Sequence, residues 1–287
     1  MTCLLDAQPA AAKSEEGPLA HLLACLHHDG DFDFSEYSQA NISRHVATRM
    51  TQVGISDMDA YTRYLQETPG EAVALCNTIW INVTSFFRDP SVWTYLQECA
   101  LPKLLTLLPV DAPIRIWSAG CSSGQEPYSI AMLLSAALGA FDFGRRVTIY
   151  ATDVDQNALS AACRGIYDSH AISSVPMDLR DEYLTETDDG WRIRPGIRHS
   201  VTFLLQNVLN QIPEQTFDMI ICRNTLIYFQ LQAQKRVLNN FRCLLTTEGY
   251  LLLGQGEYTI FHDINRPFSD QFGIVDLDAH LYRRSAK

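Results

Sequence analysis

The residues of this chain with chemistry to offer stand at the ends of short, β-branched runs. The segment 114–134, IRIWSAGCSSGQEPYSIAMLL, reads as a strand, a turn holding Gly120 and Gly124, and a helix opening at Pro127. Proline suits a first helical position because its missing N–H would be unpaired there in any case, which makes Glu126 the expected N-cap. Gly120, Ser122, Ser123 and Gly124 allow a ligand close to the backbone. A nucleoside-triphosphate loop needs a lysine after the second glycine, and none follows Gly124. A dinucleotide fingerprint needs G-x-G-x-x-G and a helix N-terminus left free for a pyrophosphate. Here a carboxylate stands at the helix start, which repels phosphate and attracts a cation such as the amino group or sulfonium of S-adenosylmethionine. The alternative is a structural strand-to-helix turn with no ligand.

Other polar groups follow the neighbouring runs. In YATDVDQNAL (150–159), Asp153 is placed to accept hydrogen bonds from both hydroxyls of a ribose. Either Asp153 or Asp155 could instead cap the following helix. Asn207-Val208 end a third run and Arg223-Asn224 a fourth. Four polar clusters at successive strand ends point to one ligand edge.

The elements that must position these groups alternate. Strands are expected at Ile114 to Ser118, Val147 to Ala151, Val201 to Leu205, Phe217 to Ile221 and Tyr250 to Leu253, with a last one at His280 to Arg283. Helices are expected near 127–138, 155–163 and 231–245, giving a parallel α/β sheet covered by helices. Between 168 and 200 neither pattern fits, and WRIRPGIRHSVTF suggests an inserted antiparallel β-ribbon. Upstream, apolar residues recur at helical spacing: Leu19, Leu22, Leu23 and Leu26; Ile42, Val46, Met50 and Val53; Tyr61, Tyr64 and Leu65. The expected organisation is a disordered lead-in at 1–16, a helical domain at 17–97 and a ligand-binding domain at 98–287.

Bulk properties narrow the function classes. A chain of 287 residues with 47% apolar side chains can bury a full core. Its uninterrupted apolar stretches, such as Tyr250 to Leu253 and Met219 to Cys222, fall far short of a membrane span. Asp6 interrupts what a secretory leader would need as an apolar run. The eight cysteines are scattered, without a C-x-x-C pair, so neither a disulfide framework nor a structural metal is expected and a reducing cytoplasm suits them. A net charge of −11 argues against nucleic acid as a partner.

The segments INVTSFFRD (81–89), AGCSSGQEPYSIAM (119–132), ATDVD (151–155), FDMIICRNTLIYF (217–229) and EGYLLLGQGE (248–257), in this order, resemble the CheR-type chemotaxis receptor methyltransferases over roughly residues 19–283. The resemblance implies a class I, Rossmann-like methyltransferase sheet with an N-terminal helical domain and a small inserted antiparallel β-subdomain. It implies that Asn82, Thr84 and Arg88 belong to a segment closing over the donor from the helical domain. By the same resemblance Gly120, Glu126, Asp153, Asn207, Val208, Arg223 and Asn224 contact S-adenosyl-L-methionine, and Tyr228 stands beside the transferring methyl with Arg88 facing it. Read alone, Tyr228 would be a core aromatic in Leu226 to Phe229, Arg88 a surface partner of Asp89, and Phe86 and Phe87 core residues. The resemblance usually brings two acids before Pro127, where this chain has Gln125-Glu126. The family's second helix usually carries closely spaced arginines, where this chain offers Arg44, His45 and Arg49.

The implied reaction is protein-glutamate O-methylation in the cytoplasm, with S-adenosyl-L-homocysteine as product, no metal, and the cytoplasmic helical region of chemoreceptors as partner of a monomeric enzyme. A glutamate, with a reference pKa of about 4.3, is already ionised at neutral pH, so no general base is needed. Positioning and water exclusion remain the enzyme's tasks. Rival readings are the same chemistry on a non-chemotaxis protein or small carboxylate, and a module that binds the donor without turnover. A nicotinamide oxidoreductase lacks its fingerprint.

Overall fold

The computed structural model describes residues 17–30, 33–211, 213–257 and 271–285. The lead-in expected at 1–16 lies outside them. The chain divides into two compact units, 1–80 and 81–287.

In the first unit, the expected apolar spacings become α1 (Pro18–Gly30), α2 (Gln39–Val53) and α3 (Met58–Glu67), followed by α4 (Glu71–Ile79). Leu22, Leu26, Ile42, Val46, Tyr61, Leu65, Leu75 and Cys76 form its buried interior. Gly54, left-handed at φ 76°, ends α2, and Asp57 caps α3 by accepting from the Ala60 N–H.

The second unit opens with α5 (Pro90–Tyr95), a π-helical turn at 96–100 and α6 (Leu101–Leu107). The division at Trp80/Ile81 falls earlier than the boundary expected near residue 97. Val92, Trp93, Leu96, Leu101 and Leu104 share one core with Ile114, Ile149 and Met219, so these helical turns belong with the sheet.

The sheet is built from β1 (Ile114–Ala119), β2 (Val147–Asp153), β6 (Val201–Leu205), β7 (Phe217–Cys222), β8 (Leu245–Leu253), β9 (Phe272–Asp276) and β10 (Leu281–Arg284). Its seven strands are ordered β6-β2-β1-β7-β8-β10-β9. The first five run parallel, and β10 is antiparallel to both its neighbours. All six residues of β7 are buried, as a central strand requires. The connecting helices are α7 (Gln125–Leu138), α8 (Ala140–Arg146), α9 (Gln156–Arg164) and α12 (Leu231–Leu244).

Between α9 and β6 lies a small antiparallel sheet of β3 (Ile166–Tyr167), β4 (Leu184–Thr187) and β5 (Gly190–Ile193), ordered β3-β5-β4. The inserted antiparallel sheet is therefore present, but WRIRPGIRHSVTF is not one ribbon. Only its first three residues are antiparallel strand; Pro195–Arg198 forms a helical turn, α11, and Val201 onward pairs in parallel with β2. Proline at 195 removes a ladder donor and opens a helix instead. A further helix, α10 (Met177–Tyr183), was not expected.

Candidate functional site

The chain leaves β1 in both directions across the sheet: β2 and β6 lie on one side, β7 and β8 on the other. In an open parallel sheet the crevice outside the carboxyl ends at such a reversal is where ligands sit. The turn after β1 and the turn after β7 flank it here. Gly120 has φ 79°, and a Cβ on it would stand 2.2 Å from Thr225 Oγ1. Gly124, at φ 92°, would similarly meet the Ala162 side chain at 2.8 Å. The glycines are required by φ and by space together.

Gly124, not Glu126, is the N-cap of α7, and Gln125 begins the helix. The expectation failed because none of the first-turn N–H groups has an intrahelical acceptor, so proline fits the third position as well as the first. Freed from capping, Glu126 accepts from Ser118 Oγ at 2.8 Å and lies 3.8 Å from Arg223 Nη1. Burial pushes its carboxyl above the usual range, against the opposing pull of Arg223 and Ser118.

Arg223 follows β7 and is 3% exposed. It donates from Nη2 to Asp89 Oδ2 at 2.6 Å and to the Arg88 carbonyl at 3.0 Å, and its guanidinium lies 5.8 Å from the Trp93 ring centroid. Asp89 thus pairs with Arg223 and not with Arg88, whose Nη1 donates to the Val83 carbonyl at 2.7 Å. The 82–89 segment belongs to the sheet unit. Phe86 and Phe87 are core residues, with Phe86 edge-on to Tyr167 and Phe87 edge-on to Trp93. Thr84 lies half-buried beside them. Asn82 donates to Asp155 Oδ2.

The two acids after β2 divide their work. Asp155 caps α9, accepting from the N–H groups of Asn157 and Ala158 at 2.7 and 3.2 Å. Asp153 turns toward the glycine loop: Oδ2 accepts from Ser122 N–H at 2.7 Å and Oδ1 from Asp155 N–H at 3.0 Å. Burial raises its pKa, and those N–H bonds oppose the shift. Each oxygen keeps a further lone pair for an incoming hydroxyl.

Next to β2, the end of β6 brings Asn207, whose Oδ1 accepts from Leu209 N–H at 3.0 Å, and the buried Val208. Asn224 has φ 56°, uncommon for a side chain with a Cβ, and its buried Oδ1 has no hydrogen-bond partner among the described residues. Tyr228 closes the single 3-10 turn Leu226–Tyr228 and is half-buried. The links Glu126–Arg223–Asp89, Asp153–Ser122 and Gly120–Thr225 tie three strand ends together.

One residue was missed. Glu257, in a 3-10 turn after β8, is fully buried and accepts from Thr225 N–H at 2.8 Å and Leu226 N–H at 3.2 Å. A glutamate three residues after the glycine that ends a buried strand was the available signal.

The family model described as CheR methyltransferase, SAM binding domain, matches residues 82–271, and that described as CheR methyltransferase, all-alpha domain, matches 19–80. A chemotaxis protein methyltransferase of Borreliella burgdorferi is 32% identical over 83% of this chain and 87% of its own length. A probable biofilm formation methyltransferase, WspC, of Pseudomonas aeruginosa is 33% identical over 79% of this chain and 54% of its length. An uncharacterized 104.1 kDa protein of Rhodobacter capsulatus is 32% identical over 83% of this chain, which spans only 25% of that protein. The N-methyltransferase NodS of Bradyrhizobium japonicum, solved with S-adenosyl-L-homocysteine, matches 67% of this chain and 87% of its own at 13% identity and a TM-score of 0.37, too slight a likeness to build on. With the SAM-binding model spanning β1 to β8 and the all-α model spanning α1 to α4, the chain belongs to the CheR methyltransferase family.

Proposed function

We propose that this chain methylates glutamate side chains on the cytoplasmic helical region of chemoreceptors, acting in the cytoplasm as a monomer. The observation that carries the reading is the charge at the β1–β7 switch point: a buried carboxylate, Glu126, partly neutralised by Arg223, where a phosphate-binding loop would present bare N–H groups. The residues fit S-adenosylmethionine. Glu126 would face its cationic part, Asp153 its ribose, and Gly120 would admit it close to the backbone. Asn224 Oδ1, buried without a partner among the described residues, is a further acceptor for it. When bound, S-adenosylmethionine supplies a methyl on a positively charged sulfur, which departs as a neutral thioether once a carboxylate oxygen has taken the methyl.

The chain's own residues then have positional tasks. Arg88 and Tyr228 orient the acceptor carboxylate; a cation gripping it more tightly would stabilise the ground state and slow transfer. Phe86, Phe87 and Trp93 give the 82–93 segment a rigid, buried base beneath Arg88. No group has to remove a proton, because the acceptor is ionised at neutral pH.

A second reading, an acceptor outside chemotaxis, is favoured by one observation. On α2, Arg49 is bound to Glu71 through both Nε and Nη2, leaving Arg44 as the exposed arginine of that helix. A relative named for biofilm formation is among the matches. Incubation with labelled S-adenosylmethionine should leave label on chemoreceptor fragments as an ester that alkali releases as methanol. Label appearing only with another acceptor would select the second reading, and none with any acceptor would defeat both. In single turnovers, wild-type rates in both Arg88→Ala and Tyr228→Phe would refute their assignment.

A further inference from the structure

Glu257 is an expensive residue to bury. A carboxylate removed from water is costly unless strongly bonded, and burial raises its pKa. Glutamine could accept the same N–H bonds without that penalty. What the carboxylate holds is the turn after β7. It accepts from Thr225 and Leu226 N–H groups, immediately after Asn224 with its left-handed φ of 56°. Such backbone persists only where its surroundings fix it. The structure clears room for the contact: a Cβ on Gly254 would stand 2.5 Å from Glu257 Oε2 and 2.9 Å from Asn224 N. Thr225 is held on its other side by Gly120. Arg223 and Asn224 precede the clamped peptide groups, and Tyr228 closes the turn they begin.

We propose that Glu257 is a positioning residue of the donor site, whose charged grip on the Thr225 and Leu226 N–H groups fixes Asn224 toward the donor and Tyr228 toward the acceptor. The inference rests on the proposed function, in which Asn224 and Tyr228 have those roles. Charge-assisted acceptors hold N–H donors about twice as strongly as neutral ones, which a strained turn needs.

The test uses the full chain as wild type, Glu257→Gln and Glu257→Ala, with S-adenosylhomocysteine as the calorimetric probe. In Glu257→Ala the Kd should rise about tenfold and the single-turnover rate at saturating donor fall about a hundredfold, the scale of a misplacement near 1 Å. Glu257→Gln, still an acceptor but without the charge, should recover only part of both. Amide exchange across 223–228 should accelerate in the alanine variant and much less in the glutamine one. A merely structural role would lower Tm while leaving Kd and rate of the folded protein unchanged; that result would overturn the proposal. If the alanine variant does not fold, Gly254→Ala, whose Cβ would displace the same carboxylate, should show the same losses, and wild-type behaviour there would overturn it equally. Wild-type protein that ignored S-adenosylhomocysteine would instead defeat the donor-site reading, and the role of Glu257 with it.

Discussion

Thr225 Oγ1 fills the position that a side chain on Gly120 would need, 2.2 Å from the Cβ such a residue would carry. The turn after β1 and the turn after β7 are thereby packed as one body, across two strands paired at Ile116↔Met219 and Ser118↔Ile221. The proposed donor site is built on that seam, so its geometry depends on a contact between residues far apart in sequence.

Gly120→Ala should therefore act twice. Forcing a Cβ into left-handed backbone costs about 1–2 kcal/mol, and the clash with Thr225 must be relieved by moving one turn. Donor affinity should fall at least about tenfold, since about 1.4 kcal/mol is a factor of ten. Thr225→Ala removes the clashing atoms, so the double variant should regain part of the loss while keeping the φ strain. A calorimetric double-mutant cycle checks this; strict additivity would mean that the two turns are not coupled.

Arg223 compensates two acids, Asp89 at 2.6 Å and Glu126 at 3.8 Å, from a buried position. Arg223→Met should cost about 3 kcal/mol of stability at neutral pH, because Glu126 would be left as an uncompensated buried charge. The deficit should shrink on acidification. Without Arg223, the Glu126 pKa rises further, and protonation removes the charge that made the variant unstable. Denaturation at pH 7.5 and 5.5 measures it; a deficit independent of pH would point to lost packing on Trp93 instead.

Much of this architecture was legible from residue pattern, and the exceptions have physical causes. Central parallel strands buried on both faces write continuous apolar runs, so β1, β2 and β7 were found within a residue or two at each end, and the edge strand β6 was found by its apolar, β-branched VTFLL. The polar residues closing those runs had to lie at one sheet edge because the strands are parallel. The cap of α7 was misassigned because proline is tolerated at several first-turn positions. The short helices α10 and α11 show little periodicity, and β9 lies on a sheet edge where alternation is weak. Glu257 left only a weak local signal, a glutamate three residues after the glycine that follows β8, because its role is set by a contact 31 to 32 residues back, at Thr225 and Leu226.

The pH dependence of donor recognition follows from the direction of the Glu126 shift. Its folded pKa lies above 4.5, raised chiefly by burial. Attraction of a sulfonium is complete when Glu126 is ionised and is lost as the pH falls through that raised value. S-adenosylmethionine and S-adenosylhomocysteine differ in the sulfonium charge, so the affinity ratio between them should drop severalfold from pH 7.5 toward 5. Glu126→Gln should show a low ratio at both. The same shift acts oppositely on the stability of the donor-free protein. A carboxyl whose folded pKa exceeds its unfolded one binds more protons when folded, so its ionisation costs stability as pH rises between the two values. Competition titrations across pH decide the point, and a ratio that stayed constant would remove Glu126 from sulfonium recognition.

The helical unit contains its own buried charge cluster, with the opposite sign of shift. Glu71, 3% exposed, accepts from Arg49 Nε at 2.9 Å, Arg49 Nη2 at 2.7 Å and the fully buried Tyr61 hydroxyl at 2.8 Å. The bonds from Arg49 hold its pKa below 4.5. A depressed carboxylate contributes stability that is present above its unfolded pKa and disappears as pH falls through the folded one, so this cluster holds at neutral pH and fails only in acid. Glu71→Ala should cost about 2–3 kcal/mol, because it strands the Tyr61 hydroxyl in the core and frees Arg49. Glu71→Gln keeps an acceptor for Tyr61 and should cost roughly half as much. Because Arg49 released from Glu71 adds a free cation to α2 beside Arg44, the alanine variant should also bind acidic helical peptides more tightly at low salt than wild type does. Amide exchange over residues 39–79, together with salt-dependent peptide binding, tests both parts. Unchanged exchange would show that the cluster adds nothing to the fold, and unchanged binding would show that α2 does not meet acidic partners.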